Sequence, residues 1–127
     1  MARGRLLLVE DEDDMLEVLA RYLQGLGYEV HCATSVEAAR GIALSLDSLD
    51  AAIVDWSLPD GCGRDVITGI RTLHPHCCFV VTTGHGASVV SEAQGSGLAG
   101  SVMRKPYTMR SLYQRVATLL EQAGVPG

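Results

Sequence analysis

Ala51-Ala52-Ile53-Val54-Asp55-Trp56-Ser57-Leu58-Pro59-Asp60-Gly61 decides the architecture of this chain. Residues 51–54 form an apolar run with the length of a buried strand, too short for a helix. An aspartate closes the run, and Pro59-Asp60-Gly61 marks a turn. Val66, Ile67, Ile70 and Leu73 then recur at helical spacing, and Pro75 ends that helix. Residues 79–82 are the next apolar run. Strand, helix and strand within about thirty residues is the βαβ unit of a parallel sheet.

The same alternation extends in both directions. Toward the N-terminus, residues 6–9 are apolar. Leu16, Leu19, Ala20, Leu23 and Leu26 follow at helical spacing, and Gly27 stops that helix. Residues 28–33 read as a strand. Thr34 and Glu37 have the spacing of a capping box, ahead of a helix carrying Val36, Ala39, Ala43 and Leu46. Toward the C-terminus, Val89, Val90 and Ala93 suggest a helix that Gly95, Gly97 and Gly100 weaken. Residues 101–103 read as a short strand. Thr108 caps a last helix with Leu112, Val116, Leu119, Leu120 and Ala123, which Gly124 and Pro126 end. Five strands alternating with five helices predict an α/β fold. One parallel sheet carries helices on both faces.

Composition narrows the function. The chain has 127 residues, 47% hydrophobic and 20% charged, enough for one domain with its own core. A net charge of -5 leaves no basic footprint for nucleic acid or anionic membrane. No apolar run approaches the roughly 20 residues of a membrane span. The stretch after Arg3 and Arg5 is too short for a signal peptide, so the chain reads as cytoplasmic. Cys32, Cys62, Cys77 and Cys78 fit no common zinc spacing and read as reduced thiols packing as small hydrophobes. Cys62 lies in a glycine-flanked loop.

Ligands of open α/β sheets bind beyond the carboxyl ends of the strands. Here those ends offer Glu10 and Asp11, then Asp55, then Thr82 and Thr83, then Arg104 and Lys105. Singly these are ordinary residues: a helix-favouring acid, a turn aspartate, a strand threonine, a surface lysine. Together they are complementary. Three clustered carboxylates repel one another unless a hard, oxygen-preferring cation such as Mg²⁺ joins them. That cation can hold phosphate oxygens while a carboxylate attacks phosphorus. Lys105 and the Thr83 hydroxyl can take further oxygens.

Val9-Glu10-Asp11-Glu12, Asp55-Trp56-Ser57-Leu58-Pro59-Asp60-Gly61, Thr83-Gly84-His85-Gly86 and Lys105-Pro106-Tyr107 resemble, in order and spacing, the four motif blocks of response-regulator receiver domains. The resemblance runs from about residue 6 to about residue 123 and implies one receiver domain over residues 1–127. It implies a flavodoxin-like fold with sheet order 2-1-3-4-5. It makes Asp55 the phosphoacceptor and Asp11 a direct ligand of Mg²⁺ or Mn²⁺, with Glu10 acting through water. Ser57 falls where a backbone carbonyl completes the metal shell. Thr83 falls on the switch hydroxyl, Lys105 on the phosphate-contacting lysine, and Lys105-Pro106 where the family commonly has a cis peptide. Ser57 and His85 fall on positions flanking the path of the hydrolysing water.

The implied role is a signalling switch in a phosphorelay that catalyses only its own phosphorylation and dephosphorylation. Its implied partner is a sensor histidine kinase or a histidine phosphotransfer protein. The downstream effector is left open, as is a homodimer. One position departs from the family pattern. Val102 stands where an aromatic residue usually lies, so the sequence predicts switching through rearrangement of residues 84–100 instead of a ring rotation.

Other classes use related chemistry. An Asp-nucleophile phosphohydrolase of the haloacid-dehalogenase type would use Asp11-Glu12-Asp13, but the chain lacks length for a substrate cap and Asp55 would go unexplained. A flavodoxin-like flavin binder would need a phosphate cradle where five consecutive acids stand. A degenerate receiver acting only as an interaction module would not need the full set of Asp55, Thr83 and Lys105.

Overall fold

Period-2 alternation in the first strand organises the core. Leu7 and Val9 enter one apolar cluster, with Val36 and Ala39 from one helix and Ile67 and Ile70 from another. Leu6 and Leu8 enter a second, with Leu16, Leu19 and Leu23, and with Leu112, Val116 and Leu120. The computed structural model describes residues 3–84 and 101–125. It runs β1 (Arg5–Val9), α1 (Asp13–Gly25), β2 (Glu29–Ala33), α2 (Val36–Ser45), β3 (Ala51–Asp55), β4 (Ser57–Leu58), β5 (Gly61–Cys62), α3 (Gly63–Leu73), β6 (Cys78–Thr83), β7 (Ser101–Arg104) and α4 (Met109–Gln122). Helices α2 and α3 thus cover one face of the sheet, and α1 and α4 the other.

The five-stranded sheet is parallel throughout, in the order β2-β1-β3-β6-β7. In terms of the five sheet strands this is the expected 2-1-3-4-5. Strand β3 lies at the centre and is buried along its whole length, as an unbroken apolar run should be in a two-face-covered sheet. The stretch after Asp55 holds more than the expected turn. Strands β4 and β5 form a small antiparallel ribbon, with Ser57 opposite Cys62. The helix expected between residues 86 and 100 lies outside the described residues, as do His85 and all but the first residue of the segment expected to rearrange.

The punctuation largely behaves as the residue types dictate. Gly27 takes φ +99°, and its N–H donates to the Gln24 carbonyl at 3.0 Å, closing α1. His74 precedes Pro75 and leaves the helical conformation after α3. Its Nε2 donates to the Ala43 carbonyl at 2.8 Å, tying the ends of α2 and α3 together. Thr108 caps α4 by accepting the Ser111 N–H at 3.0 Å, and its own N–H donates to Ser111 Oγ at 3.2 Å. Of the cysteines, Cys77 and Cys78 pack into the two clusters as expected. Cys32 does not, because it lies exposed on the edge strand β2.

The cap of α2 differs from the sequence reading. Ser35, not Thr34, is the N-cap, accepting the Ala38 N–H at 3.1 Å. The helix starts one residue later than the Thr34–Glu37 spacing required, so Glu37 sits too early to complete a capping box. The two preceding amides go elsewhere: Val36 N–H donates to Asp60 Oδ1 at 2.8 Å and Glu37 N–H to Asp60 Oδ2 at 3.1 Å. Asp60 thereby links the loop after Asp55 to α2. These two bonds hold its carboxyl below the usual aspartate range. A depressed folded pKa stabilises above the unfolded pKa and is lost as pH falls through the folded one. Asp60→Ala should therefore lower the melting midpoint at neutral pH, with the deficit shrinking below about pH 4. Thermal melts of both proteins across that range check this; a pH-independent deficit would show that the carboxylate charge is not involved.

Candidate functional site

Parallel pairing brings the strand ends to one edge. Val9 lies opposite Val54 in β1 and β3, and Asp55 opposite Thr82 in β3 and β6. Glu10 and Asp11 therefore leave β1 beside the point where Asp55 ends β3. Lys105 joins them because its N–H donates to the Thr83 carbonyl at 2.7 Å, extending the β6–β7 pairing past Arg104. The Lys105-Pro106 bond is cis, as the resemblance implied.

The Lys105 ammonium reaches back over this edge. Nζ donates to Asp55 Oδ2 at 2.9 Å and to Glu10 Oε1 at 3.4 Å. The other Asp55 oxygen, Oδ1, accepts the Ser57 N–H at 3.2 Å. Asp55 is 5% exposed and Glu10 4%, whereas Asp11 is exposed. Each of the three acids has a carboxylate oxygen within 4.8 Å of the other two.

Burial and mutual repulsion make this a strained set of charges. Burial, reinforced by the neighbouring Asp55, pushes the Glu10 carboxyl up to about 8. Burial pushes Asp55 the same way, but its bonds to Glu10, Lys105 and the Ser57 amide prevail and hold it below the ordinary range. Burial pulls Lys105 down, and contact with Asp55 and Glu10 more than restores it, leaving it above its usual value. One carboxylate is thus kept ionised, while its neighbour resists ionisation. Glu10 Oε2 is buried and has no hydrogen-bond partner. A buried acceptor without a donor, beside an ionised aspartate and an exposed one, suits a hard divalent cation. Glu10, Asp11 and Asp55 are the side chains that would hold it.

The site residues named from sequence fall as follows. Glu10, Asp11, Asp55 and Lys105 come together. Ser57 comes in through its amide, while the residue itself is exposed. Thr83 is buried at the end of β6, where its carbonyl anchors Lys105. Val102 is partly buried against the cluster of Leu7 and Val9.

Other residues shape the site without carrying a chemical motif. Trp56 donates its N–H to the Thr82 carbonyl at 2.9 Å, and the Arg64 guanidinium stands 5.8 Å from its ring centre. Gly63 donates its N–H to the Trp56 carbonyl at 2.8 Å. A Cβ on Gly63 would stand 3.0 Å from the Asp55 carbonyl oxygen and 3.2 Å from Trp56 Cα, so the backbone carrying Asp55 rests on this glycine. Gly63→Ala should cost about 1–3 kcal/mol of stability through that overlap, measured by urea denaturation. An unchanged midpoint would show that the loop yields freely. Tyr107 is half-buried, and burial pushes its hydroxyl up to about 12, against Lys105 and with the nearby charges of Glu10 and Asp55. Its place in the Lys105-Pro106-Tyr107 block was the available sequence signal.

Comparison with known proteins agrees with this geometry. Residues 6–117 match the model of the family described as response regulator receiver domain. The photosynthetic apparatus regulatory protein RegA of Cereibacter sphaeroides is 36% identical over 101 residues, covering 80% of this chain and 54% of the relative. The response regulator protein PilR of Pseudomonas aeruginosa is 31% identical over 121 residues, covering 94% of this chain and 27% of the relative. The chain thus spans about half or less of the length of these relatives. A response regulator receiver domain protein from Clostridium thermocellum superposes with a TM-score of 0.85 at 25% identity, covering 95% of this chain and 97% of that one.

Proposed function

The chain belongs to the response-regulator receiver family of two-component signalling, and we propose that Asp55 is its phosphoacceptor. The observation that carries this reading is the single buried, ionised carboxylate held between Lys105 and two further acids at the carboxyl edge of the sheet. The donor is a phosphohistidine of a sensor kinase or of a histidine phosphotransfer protein. An Asp55 carboxylate oxygen attacks phosphorus in line with the leaving nitrogen. A P–O bond forms and the P–N bond breaks, its electron pair returning to the imidazole, which takes up a proton. Lys105 exchanges its bond to Asp55 for one to a transferred oxygen. The Thr83 hydroxyl donates to another. Mg²⁺ or Mn²⁺ held by Glu10, Asp11 and Asp55, with the Ser57 carbonyl, supplies positive charge to the phosphoryl oxygens when bound.

Residues 1–127 then act as one receiver domain, in the cytoplasm, switching an effector yet to be identified. Among the described residues no helix is long and apolar enough to cross a membrane. The chain's acidic balance opposes direct contact with nucleic acid. The test is stoichiometry. Incubated with acetyl phosphate and Mg²⁺, the chain should take up one phosphoryl group, seen by intact mass, and release it slowly as inorganic phosphate. Sustained turnover of phosphate monoesters would instead make it a phosphohydrolase. Absence of any phosphoryl form would make it an interaction module.

A further inference from the structure

We propose that the groove between α2 and α3 is a docking site for an acidic amphipathic helix of a partner protein. The groove has a volume of about 430 Å³ and is lined by Arg40 and Leu44 from α2 and by Arg64, Gly69 and Leu73 from α3. Four large apolar side chains are exposed among the described residues, and two of them, Leu44 at 65% and Leu73 at 38%, meet here. Val18 and Met109 are exposed singly on other helices, as surface residues often are.

Gly69 shows that the space is not a by-product of packing. A glycine in mid-helix is unfavourable and needs a reason. Gly63, on the same helix, has one in the backbone beneath it. At Gly69 a Cβ would meet only Arg40 Nε, at 3.6 Å, an ordinary contact, and no left-handed backbone demands glycine. Helix α3 therefore forgoes a side chain in the groove.

Charge selects the occupant. The chain carries -5, yet this groove presents two arginines, Arg40, whose charge also acts on Asp60, and Arg64, whose guanidinium stands 5.8 Å from the Trp56 ring centre. Its acid, Asp65, is turned to its own helix start, accepting the Cys62 N–H at 3.0 Å. Arginine favours carboxylates through its planar fork. A cleft between two helices accepts a third through apolar anchors one turn apart. The complementary ligand is a helix with leucine-like anchors and flanking glutamates or aspartates. This surface meets the Asp55 site only through Arg64, which stands at the Trp56 ring, and the proposal stands whether or not Asp55 is phosphorylated.

The probe is a synthetic helical peptide with leucines at i and i+4 and flanking glutamates, titrated into the ¹⁵N-labelled full chain. Amide shifts should saturate at Arg40, Leu44, Gly69 and Leu73. A counterpart with lysines for the glutamates should bind about tenfold more weakly or worse. Gly69→Met should fill the groove and weaken the glutamate peptide at least as much, while its melting midpoint stays the same or rises. Equal binding of both peptides, shifts centred elsewhere, or undiminished binding to Gly69→Met would overturn the proposal. So would a self-association of the chain that Gly69→Met abolishes, since that would assign the groove to a second copy.

Discussion

Asp55→Asn is expected to bring phosphoryl incorporation below detection while leaving the fold intact. The amide has nearly the same shape and can still accept the Ser57 N–H that Asp55 Oδ1 accepts at 3.2 Å. What it lacks is the charge that makes the side chain a nucleophile. Lys105 keeps its second contact, to Glu10 at 3.4 Å, so the ammonium is not left alone. Loss of Asp55's charge also relieves part of the repulsion that raises Glu10. Stability should therefore change far less than reactivity. Intact mass after incubation with acetyl phosphate and Mg²⁺ separates the two proteins. Equal labelling of the variant would move the phosphoacceptor to another residue.

Removing divalent cations is expected to have an effect of similar size. Excess chelator should stop phosphoryl transfer without unfolding the chain. The acids lie at an edge where Asp11 is exposed, and without a metal Lys105 still bonds to both Asp55 and Glu10. Transfer is different, because a dianionic phosphoryl group must approach the clustered acids Glu10, Asp11 and Asp55 with Lys105 as the charged donor between them. Asp11→Asn should weaken Mg²⁺ binding by about tenfold or more, since even residues that only orient metal ligands cost about that much. Trp56, the sole tryptophan, follows Asp55 directly, so its fluorescence during a Mg²⁺ titration gives the affinity. Unimpaired phosphorylation in chelator would remove the metal from the account.

The sheet and the acidic cluster at its carboxyl edge were legible in sequence for one reason. A doubly covered parallel strand must be a short apolar run, and in this fold the residue after the run falls on the ligand-binding edge. Residues 51–54 and 6–9 met the first condition, so Asp55, Glu10 and Asp11 could be named. The order of strands was not available from periodicity and came only with the motif resemblance. The α2 start was misread because Thr34 and Ser35 are adjacent and either can cap. The partner that settles the matter, Asp60, is remote in sequence and becomes visible only once β4 and β5 bring it to Val36. Gly63 was illegible for a similar reason, because its neighbours beneath are backbone atoms of Asp55 and Trp56. Ser57 N–H donates to Asp55 Oδ1, a main-chain contact that its side-chain type does not announce.

The central claim is that one carboxylate, Asp55, forms the acyl phosphate. Sodium borohydride reduces an acyl phosphate of aspartate to homoserine and leaves free carboxylates unchanged. The full chain, phosphorylated with acetyl phosphate and Mg²⁺, should after reduction and proteolysis carry homoserine at position 55 and aspartate at positions 11, 13 and 14. Homoserine at any of those three, or a phosphorylated chain with aspartate intact at position 55, would contradict it.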